Sequence, residues 1–238
     1  MREHPSKKYN KVGYRRMDYQ KMITFILEII GTIAFAASGA MVGVERKMDI
    51  FGVSVLGIVT AVGGGMIRDL VMGFTPPAVF RNPIYAVIAT ITSCIVFASL
   101  YLHKGAFDQK KKMRFDQLLL VMDTVGLGIF TVVGVNAGLQ NGYRGYTFLL
   151  VFVGTITGVG GGLLRDMMAD VPPYIFVKHV YACASLVGAI SCVIIDLFWG
   201  DVAAMILGSC VVILIRYFAA RYHWNLPRFD KSIEVGNE

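Results

Sequence analysis

The segment GGGMIRD at residues 63–69 returns as GGGLLRD at residues 160–166, each time inside a long apolar stretch. Residues on both sides of the two copies also agree in order. The matches include Glu28 with Asp123, Phe35 with Phe130, Gly39 with Gly134, Thr60 with Thr157, Pro76-Pro77 with Pro172-Pro173, and Tyr85 with Tyr181. Apolar sequences produce chance Leu and Val matches, but not an ordered series of Gly, Thr, charged residues and Pro. The chain therefore contains an internal repeat.

The composition places this repeat in a membrane. Of 238 residues, 55% are apolar and 16% charged, against about 45–50% and about 25% in soluble domains. A bilayer core about 30 Å thick needs about 20 apolar residues in a helix. Seven stretches are suitable, at about 23–43, 51–73, 84–103, 117–136, 146–169, 179–199 and 202–219. The sequence predicts an all-α polytopic membrane protein with seven transmembrane helices.

The repeat fixes the arrangement of these spans. Repeat one covers about 23–103 and repeat two about 117–199, with three spans in each. Because three is odd, the second copy starts on the opposite side of the membrane, so the repeats are inverted. Inverted repeats are typical of proteins that move solutes along their interface. The seventh span, 202–219, stands outside the repeats, and the membrane domain 22–220 lies between a basic tail, 1–21, and a C-terminal tail, 221–238.

The distribution of Lys and Arg predicts the orientation. One side has only two basic residues beyond the N-terminal tail, Arg81 and Arg144. The other side carries Arg46, Lys47, Lys104, Lys110, Lys111, Lys112, Arg114, Lys178, Arg221, Arg228 and Lys231. The positive-inside rule predicts a cytoplasmic C-terminus and an outer N-terminus. The basic N-terminal tail opposes this orientation, and a translation start at Met17 or Met22 would remove most of the conflict.

Several function classes find no support in the sequence. The four cysteines, Cys94, Cys183, Cys192 and Cys210, lie in apolar stretches without a C-x-x-C pair, and the four histidines lack the spacing of metal ligands. We therefore expect no metal, no cofactor and no catalytic residues. The net charge of +7 comes mainly from tails and connections, so nucleic-acid binding is not expected. The cluster Lys110 to Arg114 either attracts anionic lipid headgroups or acts as a topology signal in a solvated loop.

The glycine triplets, Gly63, Gly64, Gly65 and Gly160, Gly161, Gly162, are the candidate centre of the pathway. Each Gly in a helix interior lowers the stability of the helix by about 1 kcal/mol relative to Ala. We therefore expect spans two and five to kink or break there. Exposed backbone at this depth is tolerated where it lines an aqueous cavity. The alternative is close helix packing through small residues. Thr60 and Thr157, just before the glycines, are expected on the pathway.

The charged pairs Arg68-Asp69 and Arg165-Asp166 follow the glycines within the spans. Bare charge there costs about 2.5–3.5 kcal/mol per residue, so these groups should face water or a partner. Adjacent residues do not face each other on a helix, so we expect the arginines to pair with Glu28 or Asp123. Because spans two and five run in opposite directions, the pairs should form two charged constrictions. The alternative is a structural ion-pair network.

Three plus three plus one spans with a doubled GGG-x-x-R-D motif resemble the trimeric intracellular cation (TRIC) channel family. The P-x-x-F-R-N-P-I-Y segment after the first motif is most similar to its bacterial and archaeal branch. The resemblance covers about residues 22–220. It implies a multi-pass protein of the prokaryotic inner membrane, a homotrimer with one pore per protomer, conducting monovalent cations and chiefly potassium. Glu45-Arg46-Lys47 stands where animal relatives carry a phosphoinositide-binding Lys-Glu-Val element.

The resemblance also carries site residues and a second hypothesis. By position, the glycine triplets would be the kinks of the pore, with Arg68, Asp69, Arg165 and Asp166 beside it. The same domain is also described as a possible glycine transporter in some bacterial proteins. A secondary transporter of a small solute, with an occluded site at the same helices, therefore stands beside the potassium-permeable channel.

Overall fold

A computed structural model describes residues 6–102, 109–177, 180–222 and 224, with the side chains of 6–18, 110, 111, 176 and 177 outside the description. Lys104, Lys178, Arg228 and Lys231 lie outside the described residues. Within those ranges the chain forms nine α-helices and no strand. They are α1 (Ser6–Glu45), α2 (Ile50–Val71), α3 (Ala78–Arg81), α4 (Ile84–Leu102), α5 (Gln109–Gln140), α6 (Thr147–Met168), α7 (Tyr174–Val177), α8 (Tyr181–Trp199) and α9 (Asp201–Arg221).

Seven of these helices are long and apolar enough to cross a membrane: α2, α4, α5, α6, α8, α9 and the part of α1 from Tyr19 onward. The predicted all-α, seven-span architecture is confirmed. Helix α4 lies at the periphery, because only its Ala89 and Ser93 are buried. Its apolar side chains Ile91 and Ile95 are more than half exposed, as expected for a helix surface that contacts lipid tails or another subunit rather than water.

One local prediction needs correction. Helix α5 begins at Gln109, so the basic cluster from Lys110 to Arg114 lies in a helix and not in a loop. Helix α1 begins at Ser6, so most of the basic segment 1–21 is helical. The short helices α3 and α7 follow the two proline pairs. Nothing in the sequence analysis anticipated them.

The two repeats use the same helix crossing. A Cβ atom added to Gly39 of α1 would lie 2.5 Å from the Thr60 hydroxyl oxygen of α2, and one added to Gly134 of α5 would lie 2.6 Å from the Thr157 hydroxyl oxygen of α6. Both threonines are buried, and each donates its hydroxyl to a carbonyl one turn earlier in its own helix. The repeat therefore shows in three dimensions as well as in the sequence.

The glycine triplets lie where α2 crosses α6, at the contact between the repeats. A Cβ on Gly64 would lie 2.1 Å from the Thr157 carbonyl oxygen, and a Cβ on Gly161 would lie 2.1 Å from the Thr60 carbonyl oxygen. Of the kink or break expected at the glycines, the break is wrong, because α2 and α6 are continuous helices through them. Packing explains the motif: without side chains, the two backbones approach closely.

The crossing predicts different effects for neighbouring glycines of one triplet. Gly64→Ala should lower the free energy of unfolding by about 1–3 kcal/mol, since its new methyl group meets rigid backbone. Gly65→Ala is the matched control, because a Cβ there meets nothing nearer than Arg68 Nη2 at 3.9 Å. This control should be neutral or slightly stabilising, because Ala favours a helix. Unfolding of the purified variants in detergent, followed by circular dichroism, measures both; equal stability of the two variants would contradict the packing role.

Candidate permeation site

The predicted charged residues form two groups, one on each side of the glycine crossing. The first group contains Glu28, Arg68 and Asp69, near the face of the bundle where the α1 span begins. The second group contains Asp123, Arg165 and Asp166, near the opposite face. Each repeat supplies one group from equivalent positions, and each group includes the matched tyrosine, Tyr85 or Tyr181. The prediction that the Arg-Asp pairs lie in opposite halves agrees with this placement.

In each Arg-Asp pair, the arginine donates hydrogen bonds to the adjacent aspartate. Arg68 donates from Nε and Nη2 to Asp69 Oδ1 at 2.9 and 2.7 Å, and Arg165 donates from Nε to Asp166 Oδ1 at 2.8 Å. The expectation that adjacent residues cannot meet is therefore wrong here. The Arg side chain is long and flexible enough to curl back to its neighbour, and burial favours that contact over an unpaired charge.

The second oxygen of each aspartate anchors the segment after the proline pair. Asp69 Oδ2 accepts the backbone N–H of Ala78 at 2.7 Å, and Asp166 Oδ2 accepts that of Tyr174 at 2.8 Å. Ala78 and Tyr174 are the first residues of α3 and α7. These N–H groups have no partner within their own helices, and a carboxylate is a favourable acceptor there. Both aspartates thus fix the chain that folds back beside the charged groups.

The second group is buried and contains several ion pairs and hydrogen bonds. Arg165 is fully buried, and its Nη1 donates to Asp123 Oδ1 and to Ser38 Oγ, both at 2.6 Å. Tyr181 Oη donates to the same Asp123 oxygen at 3.4 Å. The predicted pairing of an arginine with Asp123 is therefore present. An ion pair this deeply buried persists only when its partners are well placed.

A residue that the sequence analysis missed completes this group. Arg216 of α9 is 1% exposed, its Nη2 lies 3.8 Å from Asp123 Oδ2, and its guanidinium lies 4.8 Å from the centroid of the Tyr181 ring. With Arg216 the group has two positive and two negative residues and is neutral. The signal was a lone charge in an apolar span, which marks a function or a buried partner. It has no counterpart in the repeats.

The first group is open by comparison. A cavity of about 70 Å³ lies beside it, and its lining includes Glu28, Thr32, Arg68, Asp69, Tyr85 and Thr157. Tyr85 Oη donates a hydrogen bond to Glu28 Oε2. The predicted Arg68–Glu28 partnership is not found: among the described residues, the ion pair of Arg68 within 4.0 Å is with Asp69. Glu28 thus faces the cavity with a phenol as its partner.

The opposite face has a wider cavity of about 580 Å³. Its lining includes Glu45, Arg46, Asp166, Pro172 and Tyr174. The α2–α6 crossing at Gly64 and Gly161 lies between the two cavities. The helices are in close contact there, so the two cavities are not connected through the crossing. Of the predicted pathway threonines, Thr157 lines the smaller cavity, whereas Thr60 is buried in the α1–α2 contact. Gly65 lines the smaller cavity too, while Gly63 packs on Leu164 and Gly162 on Tyr181.

Two inverted repeats that meet at a glycine crossing, with a charged recess in each half, define a class of helical membrane proteins that move solutes through their repeat interface. Among the described residues, no group of three His, Cys, Asp or Glu side chains is arranged to hold a metal ion. The polar groups of the site are instead the paired charges and tyrosines described above.

Comparisons with known proteins identify the family. The family model described as glycine transporter matches residues 25–101 and again 120–196, one match for each repeat. The chain is 37% identical to the UPF0126 inner membrane protein YadS of Escherichia coli over 212 residues, covering 87% of this chain and 97% of that protein. It is 34% identical to a UPF0126 membrane protein of Deinococcus radiodurans, and the match covers 84% of this chain and 89% of that protein.

Solved structures agree with these relatives. The TRIC orthologue from Rhodobacter sphaeroides superposes with a TM-score of 0.75 at 32% identity, covering 85% of this chain and 99% of that one. A second solved structure, of a TRIC cation channel studied for its conductance, superposes with a TM-score of 0.72 at 34% identity. The match covers 86% of this chain and 96% of that one. The chain belongs to the TRIC channel family, whose family model carries the glycine transporter description.

The charge balance of the second group predicts the effect of removing Arg216. Arg216→Met leaves two carboxylates facing the single charge of Arg165. The free energy of unfolding should fall by about 3–5 kcal/mol, as expected when one partner of a buried ionic group is removed. Adding Asp123→Asn in the same chain restores neutrality and should recover part of this loss.

A double-mutant cycle over these two positions, measured by unfolding in detergent, gives the coupling between them. Losses that simply add, with no recovery in the double variant, would show that Arg216 does not balance Asp123.

Proposed function

We propose that this protein is a potassium-permeable, monovalent cation channel that works as a homotrimer with one path through each protomer. The observation that carries the proposal is the pair of recesses near opposite faces, with the glycine crossing of α2 and α6 and the buried ion pairs of Arg165 between them. A continuous path would need α2 and α6 to separate and the side chain of Arg165 to move. The relatives described as TRIC cation channels support the same function.

The path is expected to run between α2 and α6, from Arg68 and Asp69 at one end to Arg165 and Asp166 at the other. Because both arginines are paired with carboxylates, neither presents a bare positive charge to a passing cation. The path contains no dedicated filter sequence of the potassium-channel type, so selectivity among monovalent cations should be weak. We assign no catalytic role to any of these residues.

We further propose a location in a prokaryotic inner membrane with the C-terminus in the cytoplasm. The location is supported by the Escherichia coli relative, which is named an inner membrane protein. The orientation is supported by the excess of Lys and Arg on the face that carries Arg46, Lys47 and Arg221. Anionic lipids are the expected neighbours of the basic start of α5.

The second candidate is a secondary transporter of a small solute such as glycine. The first cavity favours it, because the acid Glu28 and the guanidinium-bearing Arg68 both line it. These are complementary to the ammonium and carboxylate of an amino acid. The closed crossing is also compatible with an occluded transport state. The two candidates differ in how flux depends on solute concentration.

Flux into liposomes separates them. Purified protein should allow radioactive rubidium, a potassium substitute, to enter liposomes at a rate that rises with concentration without saturating at millimolar levels. Labelled glycine should not enter above the rate of liposomes that lack protein. Saturable glycine uptake without rubidium flux, in the same preparation, would reject the channel and favour the transporter.

A further inference from the structure

The inverted repeats place two acids at equivalent positions but in unequal surroundings. Asp123 lies 2.6 Å from Arg165 and 3.8 Å from Arg216, so two arginines balance the carboxylates of its group. Glu28 is the corresponding acid of repeat one. Within the described residues, no Lys or Arg lies within ion-pair distance of Glu28, and α9 supplies no counterpart of Arg216 on this side. The seventh span therefore neutralises one half of the repeat pair and not the other.

The first cavity has an unbalanced charge as a result. Arg68 and Asp69 form an ion pair at 2.7 Å and cancel, which leaves the single negative charge of Glu28. A carboxylate away from bulk water is costly unless a positive charge or a proton accompanies it. The Tyr85 hydroxyl, which donates to one oxygen of Glu28, supplies a hydrogen bond but no charge. Among the described residues, the side-chain hydrogen bond of Glu28 is to Oε2, so its other carboxylate oxygen can contact a ligand in the cavity.

The size and the oxygen atoms of the cavity define that ligand. Its volume of about 70 Å³ is several times the roughly 10–15 Å³ that a cavity needs to hold one water molecule, so it has room for a monovalent cation together with water. Thr32 stands one helical turn after Glu28 on the same face of α1 and lines the same cavity. One carboxylate with hydroxyl oxygens and one net charge suits a monovalent cation, whereas calcium takes six to eight oxygen ligands.

We propose that Glu28, Thr32 and Tyr85 form a binding site for one monovalent cation in the first cavity, with Glu28 as the residue that selects cations over anions. The proposal rests on the proposed channel function in one respect: the site lies on the path through the protomer. Repeat two has no equivalent site, because Arg165 and Arg216 occupy the surroundings of Asp123. Cation selection is thus concentrated at one face of the protein.

Two measurements on the full-length purified protein test the site. The first follows the thermal unfolding midpoint in detergent as KCl replaces choline chloride at constant ionic strength. Ligand that binds the folded state raises this midpoint. Glu28→Gln should weaken the apparent potassium affinity about tenfold or more, because the variant loses the charged contact between the carboxylate and the cation. The second measurement is the ratio of potassium to chloride permeability in liposomes, which the same variant should lower.

Two further variants keep the test decisive. Asp116→Asn is the matched control, since it also converts a carboxylate to an amide but at an exposed position of α5; it should keep the potassium-dependent shift. Thr32→Val removes one hydroxyl ligand with little change in shape and should weaken potassium binding even if Glu28→Gln does not fold. A potassium shift unchanged in both Glu28→Gln and Thr32→Val, or in Thr32→Val alone if only that variant folds, would overturn the site.

The outcomes for site and channel are distinguishable. The wild-type protein could show a potassium-dependent shift but no ion flux, while Glu28→Gln lacks the shift. In that case the channel function is wrong and the binding site stands. If wild-type protein conducts cations and Glu28→Gln keeps both the shift and the permeability ratio, the channel stands and the site is wrong. A conducting wild-type protein, with a reduced potassium shift and a reduced permeability ratio in Glu28→Gln but not in Asp116→Asn, supports both.

Discussion

The backbone contact between α2 and α6 at Gly64 and Gly161 is the constraint on which the rest of the structure depends. Each glycine faces a carbonyl of the opposite helix, so neither can carry even a methyl group without moving a helix. Because the repeats are inverted, one short motif supplies both sides of this contact. The same geometry sends the Arg-Asp pairs that follow the glycines toward opposite faces, where each pair borders a separate recess.

The two aspartates link this centre to the faces of the protein. Each uses one oxygen for its neighbouring arginine and the other for the first N–H group of a short helix. The motif thus combines three tasks in seven residues: close packing, charge compensation and anchoring of the chain that folds back. Symmetry ends at α9, where the buried Arg216 joins the second group and balances its charge.

Much of this architecture can be predicted from the sequence, because the two repeats match at Gly, Thr, Pro and charged residues, which rarely align by chance. The seven spans, the inverted arrangement and the pairing of Arg165 with Asp123 follow from it. Of the kink or break expected at the glycines, the break is wrong, and the alternative of close helix packing agrees with the structure. Glycine propensity predicts a weak helix, but in an apolar environment intact backbone hydrogen bonds and a close helix contact outweigh a cost of about 1 kcal/mol per residue.

Other features had weaker signals. The contact between Arg68 and Asp69 depends on a side chain curling along its own helix, which residue spacing does not reveal. Arg216 is a charge in an apolar span, but α9 lies outside the repeats, so no residue in the repeats corresponds to Arg216 and indicates its partner. The unequal surroundings of Glu28 and Asp123 follow from Arg216 and were therefore equally hidden. Tertiary contacts, not local preference, decided each of these points.

The most direct test of the account is the reversal potential of the purified protein in a planar bilayer under a KCl gradient. A cation channel should give discrete current steps that reverse close to the potassium equilibrium potential, since paired arginines and the charge of Glu28 favour cations along the path. Steps that reverse close to the chloride equilibrium potential, or protein that carries no current while it accumulates glycine, would contradict it.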